Sequence, residues 1–276
     1  MPGIDEKLQR LSAHLRTLRS VLVCYSGGVD SAFVLAAASR ELGDRAVGMT
    51  AVSPSLPPGE LDQAQTLARE IGAMHRVVES REMDDPRYVA NASDRCFYCK
   101  SELYRIAEAK RGEWQLDAIV NGTNCDDLGD YRPGLKAAAE AGVKSPLVDC
   151  GFTKADVREG ARSFGLKTWN KPAAACLSSR IPYGTSVTAE RLSQIGGFEA
   201  DLKRLGFRQL RVRYHDKLAR VELDLAELAR AIEPGARSAI VEAGKRHGFQ
   251  YVTLDLAGYR QGSHNEVLAG KSLRIV

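Results

Sequence analysis

The sequence predicts an α/β protein, with a parallel sheet covered by helices on both faces over residues 1–170 and a smaller α+β domain over residues 171–276. Three observations carry that prediction. Short apolar runs alternate with helical stripes at the interval of crossover connections between parallel strands. One of those runs passes directly into a glycine turn and then a helix. Beyond residue 170 the pattern changes to helices flanking a pair of alternating strands.

Taken in order, Leu8, Leu11, Leu15 and Leu18 recur at helical spacing and predict an amphipathic N-terminal helix. Val21 to Tyr25 reads as the first strand, and a helix runs from near Asp30 to about Glu41. Ala46 to Val52 is a second strand, Leu61 to Ile71 a helix and Met74 to Val78 a third strand. Residues 99–110 suit a helix and Ala118 to Asn121 a buried strand. Val157 to Phe164 is helical, with Thr153 placed to cap it against Asp156 three positions on. RIPYGTSVT is turn-rich and leads into a helix from about Ala189 to Leu205. Leu210 to Tyr214 and Ala219 to Leu223 alternate as an antiparallel pair joined at His215-Asp216-Lys217. Helices over Leu225 to Ala231 and Ala236 to His247, and a strand over Phe249 to Asp255, complete a sheet of about three strands.

The 276 residues suffice for one large or two medium domains. Apolar residues make up 44% and charged residues 27%, an ordinary globular balance, and the net charge is only +4. That slight basic excess suits an anionic ligand but falls far short of a nucleic-acid surface. No run approaches the length of a membrane span, and the N-terminus lacks the apolar core of a signal peptide. With six cysteines spread along the chain, a cytoplasmic setting with free thiols is expected.

The strongest local signal is VLVCYSGGVDSAFVL, an apolar strand running into Ser26-Gly27-Gly28 and then a helix. The glycines permit a tight turn, and amides at a helix start surround an anion. Ser26 and Ser31 add hydroxyls, and Asp30 can hold Mg²⁺ against phosphates. The Gly-Lys-Ser/Thr ending of a Walker A loop is missing, and the G-x-G-x-x-G dinucleotide pattern is absent.

In DRCFYCK, Cys96 and Cys99 stand at i and i+3, where two sulfurs share one helix face. Arg95 and Lys100 beside them favour thiolates. A third thiol, Cys176 in NKPAAACLSSRIPYG, is followed by the polar run Ser178-Ser179-Arg180. Cys24 reads as core and Cys150 as structural, while Cys125 in GTNCDD lies where ligands of open α/β sheets gather. Three thiolates without a nearby histidine suit a [4Fe-4S] cluster with one open iron better than zinc with bound water. The open iron would accept sulfide.

SGGVDS in this setting resembles the pyrophosphate loop of the PP-loop ATP pyrophosphatases, an adenine nucleotide alpha hydrolase-like group with a Rossmann-like parallel sheet. GMP synthetase, NAD synthetase, argininosuccinate synthetase and tRNA thiolation enzymes belong to it. The resemblance implies that an oxygen nucleophile attacks the α-phosphorus of ATP, pyrophosphate leaves, and a second nucleophile displaces AMP. It also implies a second nucleotide-binding segment after the next strand, at Thr50 to Ser53.

Over residues 15–262, the blocks YSGGVDS, NGTNCDDLGDYRPG, NKPAAACLSSRIPYG and RVRYHDKLARVEL resemble, in this order, the LarE family. These ATP-dependent sulfur transferases make pyridinium-3,5-bisthiocarboxylic acid mononucleotide, the organic part of the nickel-pincer cofactor of lactate racemase. The resemblance implies adenylylation of pyridinium-3,5-biscarboxylic acid mononucleotide, then sulfur insertion, twice per molecule. It places Ser26, Gly27, Gly28, Val29, Asp30 and Ser31 on the ATP phosphates, with Gly122, Asn124, Asp126 and Asp127 near nucleotide and metal. Tyr131 and Arg132 shape the entrance, and Pro133 and Gly134 fix a turn. Arg180, Arg211 and Arg213 bind the substrate phosphate or carboxylates, Glu199 and Glu222 are candidates for a divalent ion or for balancing charge, and His215 is either a ligand contact or a polar turn. One branch of the family sacrifices the sulfur of the cysteine matching Cys176, leaving dehydroalanine. A second carries two additional cysteines, as this chain does at 96 and 99, which favours cluster-borne sulfur. A homohexameric assembly is implied, and the sulfur donor is not.

Three other readings fit parts of the sequence. A tRNA thiolase would show steeply salt-dependent tRNA binding. An ammonia-dependent synthetase would work without the three cysteines, and a nucleotide-binding module would bind ATP without releasing pyrophosphate.

Overall fold

In the computed structural model of the protein, residues 3–129, 133–172 and 175–260 are described. Apolar runs too short for helices become the strands β1 (Val21–Cys24), β2 (Ala46–Val52), β3 (Met74–Glu79) and β4 (Ala118–Val120). They form one sheet in the order β3-β2-β1-β4, with every neighbouring pair parallel. The expected α/β fold is therefore present. β1 lies at its centre, with Val21 paired to both Ala46 and Ala118.

Because side chains alternate across a strand, β1 feeds two cores. Val21 and Val23 face a cluster built from α1 (Ile4–Thr17), α2 (Val29–Leu42) and α3 (Glu60–Ile71). Leu22 faces Ile106 and Ala107 on the other side, and Cys24 packs beside them. Those residues belong to α5 (Arg95–Glu113), reached after the four-residue α4 (Pro86–Val89). α6 (Pro133–Glu140) packs on α5 through Tyr104, Ala137 and Ala138. The short α7 (Pro146–Asp149) precedes α8 (Lys154–Ser163), whose Val157 and Ala161 complete the first core. Thr153 and Asp156 form the expected capping box.

The chain divides into two compact units. The first holds Met1–Ser53, Gly59–Tyr88 and Ser93–Ala174, and the second Pro54–Pro58, Val89–Ala92 and Ala175–Val276. In the second unit, α9 (Ala189–Arg204) is followed by β5 (Leu210–His215), β6 (Leu218–Leu223), α10 (Leu228–Ile232), α11 (Pro234–Arg246) and β7 (Tyr251–Leu254). β5 and β6 are antiparallel, and β7 pairs with β6 in parallel. Asp216 takes the left-handed conformation the hairpin turn requires (φ 57°). Two short excursions are tied into this unit by polar bonds. Leu177 N–H donates to Ser55 O at 2.8 Å, and buried Asn91 donates to the carbonyls of Ile181, Pro182 and Thr185.

Three details differ from the sequence reading. α5 starts at Arg95, four residues earlier than expected, which brings Cys96 into the helix. The turn expected at Pro133-Gly134 is instead the start of α6, because proline's fixed φ suits a first helical position. The helix expected over Leu225 to Ala231 is a 3₁₀ turn, Leu225–Glu227, followed by α10.

Candidate active site

The turn after β1 needs glycine at one position for two separate reasons. Gly27 has φ 74°, and a Cβ there would stand 2.9 Å from Cβ of Ala64. Gly28 is different: its φ is −77°, and a Cβ would meet only Ser26 Oγ at 3.5 Å. Its open face leaves room for a ligand to approach the backbone. Ser31 Oγ accepts from Ser26 N–H at 3.1 Å and donates to Gly28 O at 3.2 Å, which closes the loop. The first-turn amides of α2, including Val29 and Asp30, have no intrahelical acceptor, as at any helix start. Gly122, just beyond β4, lets a second loop reach this turn, since a Cβ there would lie 2.7 Å from Ser31 N.

That second loop orders the acids. Asn124 is buried and donates from Nδ2 to Asp30 Oδ1 at 3.1 Å. Its Oδ1 accepts from Asp126 N–H, and its N–H donates to Asp127 Oδ2. Asp126 Oδ2 accepts from Lys154 N–H at 2.9 Å, and Lys154 Nζ lies 2.7 and 2.5 Å from the two oxygens of Asp30. Lys154 is the functional candidate that sequence reasoning missed. The one available signal was a lysine directly after a capping threonine, at the helix end that disfavours cations. Tyr131 and Arg132 lie outside the described residues.

The segment at the end of β2, Thr50 to Ser53, is more inward than expected. Thr50 is buried and donates to Tyr25 O at 2.7 Å, so its single proton is committed. His75 Nε2, at 2.8 Å from the same hydroxyl, must then carry the hydrogen it donates. Burial holds the His75 imidazole below its usual value, which keeps it neutral. Ser53 Oγ donates to Glu82. Both hydroxyls thus fix the loop from within.

Cys96 and Cys99 occupy the first turns of α5, Cys96 exposed and Cys99 half-buried. Arg95 is buried. A Cβ at Gly134 would lie 2.9 Å from Lys100 Cγ, so α6 packs directly on the lysine stem. Lys100 is exposed, with its stem crowded by Gly134. Burial alone would depress its ammonium, but Tyr104 and the thiols of Cys99, Cys24 and Cys96 outweigh this and raise it. Cys24 is driven up to about 12 by burial, against the pull of Lys100, and Cys150 to about 11, also by burial. Cys125, half-buried, is also raised by burial. Within each unit, no three His, Cys, Asp or Glu side chains among the described residues are grouped as a metal ion requires.

In the second unit, Cys176 stands half-buried at the start of a 3₁₀ turn, Leu177–Arg180. Its carbonyl accepts from Ser179 N–H at 3.1 Å, Ser179 Oγ at 2.8 Å and Arg180 Nη1 at 2.8 Å. Arg180 Nη1 also donates to Ala175 O at 2.7 Å. The rest of its fork meets Glu199 at 2.9 and 3.0 Å, and Glu199 also accepts from Val212 N–H. Arg213 repeats the arrangement, with Nε and Nη2 on Glu222 at 2.9 Å and Nη1 on Ser179 O at 2.8 Å. Glu199 and Glu222 are therefore occupied by guanidinium groups, which suits orienting arginines better than holding a divalent ion. Arg211 lies over the Tyr259 ring at 5.1 Å, and burial and the charge of Arg180 lower its value. His215 ends β5, exposed, beside the hairpin turn.

The asparagine synthase family matches residues 3–102. The pyridinium-3,5-bisthiocarboxylic acid mononucleotide synthase of Lactiplantibacillus plantarum is 37% identical over 274 residues, 99% of each chain. An uncharacterized protein of Synechocystis sp. is 43% identical over 265 residues, 96% of this chain and 99% of that one. Another, of Methanocaldococcus jannaschii, is 27% identical over 258 residues, 92% and 98% of the two chains.

Proposed function

The chain belongs to the LarE family, and from that premise we propose that it is an ATP-dependent sulfur transferase acting on pyridinium-3,5-biscarboxylic acid mononucleotide. The observation that carries the proposal is the glycine loop between β1 and α2, braced by Gly122 and Asp30, in a chain that matches this family end to end. A carboxylate oxygen of the substrate attacks the α-phosphorus of ATP, and pyrophosphate departs. The loop amides and the serines take up phosphate charge. A sulfur nucleophile then attacks the activated carbonyl, and AMP leaves with the former carboxylate oxygen. Repeating this on the second carboxylate gives the bisthiocarboxylic acid for a nickel-pincer cofactor of lactate racemase.

Asp30 fits Mg²⁺, which binds through one or two carboxylates together with substrate phosphates. The family resemblance would assign Cys96, Cys99 and Cys176 as the thiolate donors of a [4Fe-4S] cluster, a ligand type such clusters take. When bound, that cluster supplies an open iron for sulfide. Arg180 and Arg213 set the backbone that carries Cys176, and Arg211 attracts the anionic groups of the substrate. A homohexamer follows from the family resemblance. In the second reading, the Cys176 thiolate attacks the adenylate, and β-elimination from the thioester leaves dehydroalanine. The half-buried, backbone-pinned position of Cys176 is compatible with that role.

The test is anaerobic purification with iron and sulfide analysis, followed by mass spectrometry after turnover. About four iron and four acid-labile sulfide per chain are expected, lost in Cys96→Ser, Cys99→Ser and Cys176→Ser. Dehydroalanine at position 176 without iron would replace the cluster reading with the sacrificial one. No substrate-dependent pyrophosphate release would overturn the proposal itself.

A further inference from the structure

Asp30 is the residue expected to meet a divalent cation, yet both of its oxygens face the ammonium of Lys154, at 2.7 and 2.5 Å. The two residues are 124 positions apart in sequence, so the pairing is made by the fold. Asn124 fixes the carboxylate from one side, and Asp126 holds the backbone of residue 154 through its N–H. The lysine is thus held at its base by Asp126 and at its tip by Asp30. Its side chain is 33% exposed and that of Asp30 is 25% exposed, so water reaches the pair and breaking it costs little.

Helix stability does not explain this lysine. It occupies the first position of α8, where the partial positive charge of the helix end opposes a cation. Two features place it at a ligand instead. Asp30 lies in the first turn of α2, directly after the Ser26-Gly27-Gly28 loop, and without a cation its charge would repel phosphate there. A lysine ammonium is also a compact point charge on a flexible stem, suited to following a phosphate as it binds and departs.

We propose that Lys154 is an exchangeable counter-ion of Asp30: its ammonium holds the cation position on the carboxylate until a divalent cation arrives with nucleotide, and then moves onto the polyphosphate. Lys154 is a positioning residue in this scheme. It keeps a free divalent cation from occupying Asp30 alone, and it adds a positive charge where pyrophosphate departs. This inference rests on reading SGGVDS as the nucleotide loop.

Mn²⁺ serves as a spin probe in titrations followed by electron paramagnetic resonance, with and without α,β-methylene-ATP, on the full-length protein. Lys154→Met is expected to bind Mn²⁺ about tenfold more tightly without nucleotide, because a like charge in contact with the site is gone. Asp30→Asn placed on top of it should abolish that gain. The same Lys154→Met protein should bind α,β-methylene-ATP about tenfold more weakly in the absence of divalent ions, since one charge-assisted phosphate contact is lost. Lys154→Arg, which keeps the like charge, should retain the weak Mn²⁺ binding of wild type without nucleotide. Unchanged or weaker Mn²⁺ binding in Lys154→Met would overturn the exchange. Wild-type protein that binds no α,β-methylene-ATP under any condition would overturn the nucleotide-loop reading instead, so the two failures are distinguishable.

Discussion

Replacing Arg180 with methionine separates the job of the second unit from that of the first. The side chains of Arg180 and Glu199 are 2% and 3% exposed, and the guanidinium donates to five acceptors. Methionine fills similar volume but leaves Glu199 with the Val212 amide as its remaining partner among those described, and strands the Ala175 carbonyl. Removing one member of a buried, hydrogen-bonded ion pair costs about 3–5 kcal/mol. At a urea slope of about 2 kcal/mol per molar, that lowers the midpoint by roughly 2 M. Both tryptophans, Trp114 and Trp169, lie in the first unit, so their fluorescence follows that unit. Circular dichroism should then show an early transition to which tryptophan is blind. Replacing Glu199 with leucine as well removes the unpaired charge but strands the buried Val212 amide, so stability should recover to within about 1–3 kcal/mol. It cannot restore the bonds on the Ala175 and Cys176 carbonyls. The double variant should therefore fold, release pyrophosphate, and still fail to deliver sulfur. A midpoint shift below about 0.5 M would mean that the pair is not the buried anchor described here. Full sulfur delivery by the double variant would mean that the arginine does not position Cys176.

Two further outcomes are expected. Gly28→Ala should leave the melting temperature unchanged and weaken α,β-methylene-ATP binding, because its Cβ meets only Ser26 Oγ yet occupies the phosphate approach. Gly27→Ala should lower both stability and binding, at a cost of about 1–3 kcal/mol for strained backbone, on top of a contact with Ala64 at 2.9 Å; calorimetry on the two variants side by side checks the contrast. Burial holds His75 below its ordinary value of 6.5, so the unfolded chain takes up its proton first. The stability that neutral His75 contributes is full above that value and is lost as pH falls below it. The tryptophan unfolding midpoint should drop as pH falls below about 6.5 in wild type and less steeply in His75→Gln.

Which features were legible in the sequence follows from what a local pattern can encode. Ala46–Val52 is readable to the residue because a buried central strand is a mainly apolar run between polar ends, broken here only by Thr50. The capped start of α8 was visible in Thr153 and Asp156, whose partnership spans three residues. The sequence pattern places the start of α5 four residues late because Arg95 to Tyr98 carry no apolar period. Burial of Arg95 and Tyr104 holds that helix, and neither is a helical signal. α6 was missed because Pro-Gly reads as a turn, although proline also opens helices.

Long-range polar pairs were illegible for a different reason. Periodicity reports which face of an element is apolar, but it cannot report which distant charge a polar side chain meets. Arg180, Arg213, Glu199 and Glu222 could all be picked out as charged groups near candidate motifs. Only the fold shows that they resolve into two pairs whose remaining donors hold the carbonyls of residues 175, 176 and 179. Asp30 and Lys154 obey the same rule, with one difference. The arginine pairs are buried and multiply bonded, so they hold one geometry, whereas the Asp30–Lys154 pair is half-exposed and can be exchanged. Burial therefore sorts the ion pairs by role. In the proposed scheme, the pairs that fix the backbone beside Cys176 are kept from water, and the pair expected to yield to nucleotide is left within its reach.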